Sequence, residues 1–170
     1  LTDAYYRNIR FPAGERGRWT FETRKCKPYE AFVYDDPITF PDGRILPRIG
    51  FFDREYSFPA VLENGREWMT LMPNETNTSR YAVERAKGKV LTYGLGLGYF
   101  TYMASLKDEV ESVTVVERSE DVIELFRQFI LPQFKNPDKI IIVNADAFDF
   151  ASTHMQSGGY NTVFTDIWHD

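Results

Sequence analysis

The stretch Val90 to Phe100, VLTYGLGLGYF, constrains this chain more than any other. An apolar run containing Val90, Leu91 and Tyr93 breaks into glycines at alternate positions, Gly94, Gly96 and Gly98, and then into a helix-compatible segment from Tyr99 to Leu106. That pattern predicts a strand, a tight turn and a helix start. Glycine suits such a turn because a side chain would oppose positive φ and hold a ligand off the backbone, while the following helix N-terminus offers unpaired N–H groups. The turn reads as a seat for a nucleotide, although a glycine-rich turn that binds nothing has the same pattern.

From Lys89 onward strand and helix alternate. After the glycine turn a helix runs to about Lys107, followed by the β-branched strand Ser112 to Glu117. The next helix, Ser119 to Ile130, carries Val122, Leu125, Phe126, Phe129 and Ile130 at three- and four-residue steps, one apolar stripe. Ser119 caps it, Glu120 and Asp121 suit its positive end, and Pro132 stops it. The apolar run Ile140 to Val143 reads as a strand buried on both faces, followed by Asn144-Ala145-Asp146 and a short helix. Gly158-Gly159 then turns the chain into a last strand, Asn161 to Thr165, ending at Asp166. Such alternation predicts an α/β fold, a Rossmann-like doubly wound parallel sheet.

Ligands of these sheets sit beyond the carboxyl ends of the strands. The glycine turn, Glu117, Asp146 and Asp166 therefore fall on one rim. Each acid also has a plain reading as a cap of the next element, Asp146 above all. Glu117 stands at the distance from the turn where a carboxylate holds the two hydroxyls of a ribose.

Residues 1–73 differ in kind. They are rich in Tyr, Phe, Arg, Pro and Gly, and the runs Trp19 to Thr23, Glu30 to Tyr34 and Arg66 to Leu71 favour strands. Asn64-Gly65 lies between PAVLE and REWMTL and predicts a hairpin, and Pro41-Asp42-Gly43 marks another turn. The region reads as a small antiparallel β unit preceded by a short helix at Asp3 to Ile9, with Phe51, Phe52, Tyr56, Phe58 and Trp68 as core or interface aromatics. Pro73 closes it. The polar string 74–79 leads to a helix at Arg80 to Lys87, capped by Thr78 or Ser79 and ended by Gly88. Three parts result: a β unit over 1–73, a linker and helix over 74–88, and a cofactor-binding region over 89–170.

Composition narrows the function. One cysteine, Cys26, excludes an internal disulfide, and with only His154 and His169 beside it no metal centre is expected. No apolar run approaches the roughly 20 residues that cross a bilayer. The opening LTDAYYRNIR has no signal pattern, so no membrane partner and a cytoplasmic location are expected. A net charge of -5 opposes bulk attraction to nucleic acid. The cluster Arg7, Arg10, Arg16, Arg18, Arg24, Lys25 and Lys27 reads first as solvated surface and second as an RNA or phosphate contact.

The dinucleotide fingerprint G-x-G-x-x-G fits in neither register, because the sixth position is Tyr99 or Thr101. The ordered set VLTYGLGLGY, VTVVE, NADAF and TVFTDIW instead resembles class I S-adenosylmethionine-dependent methyltransferases and the related spermidine-synthase-like proteins, over roughly residues 89–170. The resemblance implies a transferase acting on a small-molecule acceptor. S-adenosylmethionine would lie along Tyr93, Gly94, Leu95, Gly96 and Gly98, with Glu117 on its ribose and Arg118 adjacent. Asp146 would meet the adenine amino group, and Ala147 would pack nearby. Asp166 would face the transferred group as the catalytic residue. His169 is a second candidate base, and Trp168 either stacks on the acceptor or packs.

Spermidine-synthase-like relatives transfer an aminopropyl group from decarboxylated S-adenosylmethionine, and they too place a β unit before the cofactor region. They usually carry an aspartate within the glycine turn where this chain has Leu97, which favours methyl transfer. A non-catalytic nucleotide- or RNA-binding module is the third reading. Relatives normally continue with three more strands that supply much of the acceptor pocket. The resemblance therefore implies a piece of a longer protein, or a shortened member whose fourth strand is covered by a second copy or another partner, with cofactor binding but little turnover by these residues alone.

Overall fold

A computed structural model describes residues 3–155 and 159–167; Gly158, Trp168 and His169 lie outside the described residues. The chain opens with helix α1 (Ala4–Asn8), whose first turn is capped by Asp3 accepting from the Tyr6 N–H at 3.2 Å. Strands β1 (Gly14–Arg16), β2 (Trp19–Cys26), β3 (Phe32–Thr39), β4 (Ile45–Gly50), β5 (Tyr56–Glu63) and β6 (Arg66–Thr70) follow. They form a four-stranded antiparallel sheet in the order β1-β2-β5-β6 and a separate two-stranded hairpin of β3 and β4. Asn64 and Gly65 both take positive φ, 50° and 76°, the geometry that matches a two-residue turn to strand twist. Strand β4 has no clear strand signature in the sequence. Ile45 and Ile49 share a face, but Leu46 breaks the alternation and Pro47 removes a ladder donor.

Helix α2 (Pro73–Arg85) corrects the boundary expected at Arg80. Proline is a helix stop inside a helix but suits its first position, where the missing N–H costs nothing, and Glu75 complements the dipole one turn in. The polar string is thus the first half of the helix, with Thr76 and Ser79 turned inward and buried. Ala86 caps its C-terminal end. Gly88, with φ of 60°, opens the next strand rather than closing the helix.

The second half runs β7 (Gly88–Tyr93), α3 (Tyr99–Ser105), β8 (Val110–Glu117), α4 (Glu120–Phe129), β9 (Ile140–Asn144), α5 (Ala147–His154) and β10 (Thr162–Thr165). The strands make one parallel sheet in the order β10-β7-β8-β9. Val90 and Val113 pack with α3, α4 and the antiparallel sheet's Trp19, Phe21 and Val61 in one core, whereas Leu91, Tyr93 and Val116 pack with Phe150 of α5 in another. Alternate strand residues thus feed opposite faces, and helices cover both. This is a Rossmann-like doubly wound α/β sheet joined to a smaller antiparallel sheet.

One expectation about burial fails. Strand β9 is at the sheet's edge, with Ile141 50% exposed, so it is not buried on both faces. An all-apolar run is the same string for an edge strand as for an interior one, because pairing partners are chosen by topology.

Candidate active site

Chain direction reverses its march across the sheet between β7 and β10: β7 leads outward through β8 to β9, and the crossover through α5 brings β10 back beside β7. Strand ends separate at such a point and leave a crevice. The register levels those ends, pairing Thr165 with Tyr93, Tyr93 with Val116 and Glu117 with Asn144. A cleft of about 350 Å³ opens there. Its floor includes Gly94, Gly96, Glu117, Asp146 and Asp166, and its opposite wall is Trp68, Met69 and Thr70 of β6.

The glycine turn is shaped by the protein before any ligand. Gly94, Gly96 and Gly98 all have positive φ, at 86°, 48° and 73°. A Cβ on Gly94 would strike the Asp166 carbonyl, one on Gly96 would lie 2.5 Å from Met69 Sδ, and one on Gly98 would overlap the Phe126 ring. The turn is held from behind as well. Tyr5 of α1 donates its hydroxyl to the Leu97 carbonyl at 2.5 Å, and Gly98 N–H donates to the Leu95 carbonyl at 2.8 Å.

Glu117 is oriented by two backbone donors: Leu95 N–H to Oε2 at 3.1 Å and Ser119 N–H to Oε1 at 2.8 Å. Each oxygen keeps a lone pair after those bonds. Asp146 caps α5 through Oδ1, accepting from the N–H groups of Phe148 at 2.8 Å and Asp149 at 3.3 Å. The loop between them is fixed by Asn144 Nδ2, which donates to the carbonyls of Glu117 and Arg118 at 2.9 and 3.0 Å.

Of the residues singled out from sequence, Gly94, Gly96, Glu117, Arg118, Asp146, Ala147 and Asp166 line this one cleft. Tyr93, Leu95 and Gly98 do not. Tyr93 packs beside Phe150, Leu95 is in the main core, and Gly98 is buried against Phe126, so the N-terminus of the seven-residue α3 lies behind the turn. Alternation explains Tyr93 and Leu95, which are out of phase with Gly94 and Gly96; Gly98 is in phase with them but is turned against Phe126 at the left-handed start of α3. His169 lies outside the described residues.

The wall was not legible in the sequence. Glu67, Trp68, Met69 and Thr70 line the cleft, with Met69 against Gly96, and Trp19 meets Trp68 edge to face at 5.6 Å between ring centres. Glu75, at the start of α2, also lines the cleft. The segment REWMT, an acid beside an aromatic directly after a hairpin turn, was the available signal. Nothing local says that this hairpin folds over a rim formed by residues 94–166.

Four of the seven cations in the basic N-terminal cluster are paired with acids. Arg16 pairs with Asp121 at 3.3 Å, Arg18 with Glu63 at 2.8 Å, Arg24 with Glu22 and Glu67 at 2.7 and 2.9 Å, and Lys25 with Glu55 at 2.6 Å. At those four positions the pairs reduce the positive charge that attracts a phosphate backbone. Among the described residues no His, Cys, Asp and Glu group could hold a metal ion, and no helix is long and apolar enough to cross a membrane.

Fold and cleft together define a Rossmann-like protein with a ligand-sized crevice at its topological switch point. No protein-family model and no curated protein matches the sequence. Among solved structures, the spermidine synthase from Thermotoga maritima is similar at 16% identity and a TM-score of 0.43, over 68% of this chain and 49% of its own. The chain thus spans about half the length of that structure.

Proposed function

We propose that the chain is an S-adenosylmethionine-dependent transferase, with methyl transfer to a small-molecule acceptor as the favoured reaction. The observation that carries this reading is the convergence of Gly94, Gly96, Glu117, Asp146 and Asp166, separated by up to 72 positions, on one cleft. The donor set suits an adenosyl sulfonium. The backbone at Gly94 and Gly96 carries no side chain to obstruct the ligand's amino-acid end. Glu117, already aimed by two N–H groups, has a lone pair on each oxygen for a ribose hydroxyl. Both capping bonds of Asp146 go to Oδ1, so Oδ2 is the oxygen for the adenine amino group, with Ala147 and Phe148 along the ring.

The cofactor would supply the methyl group for an in-line displacement that leaves its sulfur as a neutral thioether, while Gly94, Gly96, Glu117 and Asp146 would hold it in the cleft. The chain's task is alignment and proton removal. The acceptor's proton passes to the carboxylate of Asp166, which lines the cleft beside Gly94. Trp68 and Met69 flank the acceptor and exclude water. The aminopropyl alternative needs an anion for the cofactor's free amine. The turn itself carries Leu97, fully buried, in place of the relatives' usual aspartate, which favours methyl transfer; the acids that line the cleft outside the turn are Glu67 and Glu75.

Calorimetric titration with S-adenosylmethionine, its decarboxylated form and NAD tests the reading. We expect S-adenosylmethionine to bind best, and Glu117→Gln to weaken it by about 10- to 100-fold, the loss of charge-assisted bonds worth roughly 1.5–3 kcal/mol. Preference for the decarboxylated ligand would move the reading to aminopropyl transfer. Binding of NAD alone, or of none of the three, would sink it.

A further inference from the structure

Helix α1 is bonded to both sides of the cleft. On the turn side Tyr5 donates its hydroxyl to the Leu97 carbonyl at 2.5 Å, one residue beyond Gly96 of the floor. On the wall side Tyr6 donates to the Leu71 carbonyl at 2.6 Å, one residue beyond Thr70 of β6. Consecutive helix positions point about 100° apart, so neighbours in sequence reach two different elements. Two bonds to α3 seat the helix itself: the Tyr99 hydroxyl donates to Asp3 Oδ2 and Asn8 Nδ2 donates to the Tyr102 hydroxyl, each at 2.9 Å. The Tyr5 ring adds edge-to-face contacts with Tyr99 and Tyr102, at 5.5 and 5.6 Å between centres.

Both tyrosine acceptors, Leu97 and Leu71, are main-chain carbonyls, so these bonds fix backbone positions rather than rotamers. Across the cleft the contact is of another kind, because there Met69 Sδ lies against Gly96. A thioether on an unbranched side chain repacks readily and yields to an incoming ligand. The firm connection between floor and wall therefore runs behind the cleft. Burial pushes both tyrosine hydroxyls above their ordinary range, so they remain donors at neutral pH.

We propose that α1 is a strut that sets the width of the cleft, with Tyr5 and Tyr6 as positioning residues that act through Leu97 and Leu71 on whatever the cleft holds. Neither tyrosine lines the cleft itself. A strut works in series: releasing either end frees it, so cutting both ends costs little more than cutting one. Two local bonds without that connection would give losses that add. The link is reciprocal, since a ligand that needs the set width favours the docked helix by as much as the docked helix favours the ligand. The identity of that ligand rests on the function proposed above, whereas the strut does not.

Tyr5→Phe, Tyr6→Phe and the double variant test this, because each keeps its rings and loses only hydroxyls. In the free chain, amide hydrogen exchange is read at Gly98, which donates to the Leu95 carbonyl, and at Leu71, which donates to the Pro59 carbonyl. Ile123 of α4, a donor to the Ser119 carbonyl, is the reference for global opening. Relative to Ile123, either single variant should speed exchange at both amides by about fivefold or more, and the double variant should add little. Calorimetry with S-adenosylmethionine should repeat the pattern, with a dissociation constant raised about fivefold or more by either variant and about equally by both together. Gly43→Ala, strained at the β3–β4 turn, should leave that constant unchanged. Should the chain bind none of this probe, the proposed function fails and the exchange pattern alone decides the strut. Losses that multiply in the double variant, exchange that quickens only on the side whose bond was cut, or quickened exchange with unchanged affinity for a probe that does bind, would overturn it.

Discussion

Gly98→Ala is the sharpest test of how the glycine turn is built. Gly98 has φ of 73° and ψ of 16°, where an L side chain costs roughly 1–2 kcal/mol. Its added Cβ would sit 3.3 Å from both Cδ2 and Cζ of Phe126, with Cε2 nearer still, against the 3.5–4.0 Å of ordinary carbon contact. Phe126 cannot simply withdraw. It is fully buried and edge-to-face with Phe134 at 5.5 Å, so overpacking adds roughly 1–3 kcal/mol. The reduced freedom of the unfolded chain returns about 0.4–1 kcal/mol, leaving a net loss of about 1–5 kcal/mol. Gly43→Ala is the control, because Gly43 has φ of 83° and nothing within 4 Å of its Cβ. It should cost about 1 kcal/mol or less. Urea unfolding followed by circular dichroism reads both. With a slope of about 2 kcal/mol per molar, Gly98→Ala moves the midpoint down by about 0.5–2.5 M and leaves the slope unchanged. A Phe126→Leu background should recover part of the loss through coupling of neighbouring sites. Equal costs at positions 98 and 43, or no recovery with Phe126→Leu, would show that backbone conformation alone demands glycine there.

Tyr5→Phe removes the hydroxyl that satisfies the buried Leu97 carbonyl, so it should destabilise by about 1–3 kcal/mol in the same unfolding assay. A neutral result would mean that α1 does not brace the turn. Ser119→Ala removes the cap of α4, whose hydroxyl accepts from the Val122 N–H at 3.4 Å, and should cost about 1 kcal/mol or less given that length. Stability should also fall at high pH. Burial pushes the hydroxyls of Tyr5, Tyr6 and Tyr99 above the ordinary tyrosine range, with Asp3 adding to each, and moves Tyr56 up to about 12. The folded chain then holds more protons than the unfolded one above pH ~10, so this stabilisation is complete below about pH 10 and lost as pH rises toward and past 12. A urea midpoint unchanged from pH 9 to 11 would contradict it.

Much of this architecture was legible because it is written in local periodicity. The stripe Val122, Leu125, Phe126 with Ser119 before it makes α4 whatever surrounds it, and the β-branched run ending at Glu117 makes β8. Positive φ at Asn64-Gly65 and at the three glycines of the turn follows from residues that tolerate it at low cost. Once strands and helices alternate, handed crossovers bring Gly94, Glu117, Asp146 and Asp166 to one end of the sheet. The boundary of α2 was misread because Pro73 closes one element and opens another, and local rules allow both.

What the chain's own order of residues determined was therefore the parallel sheet, its rim and the carboxylates on it. Only the folded molecule decided which turn residues face the cleft, that β9 is an edge, and that Trp68 and Met69 form the opposite wall. Those facts depend on contacts between segments far apart in sequence, whose partners are selected by packing volume and surface burial across the whole molecule. No window of neighbouring residues carries that information.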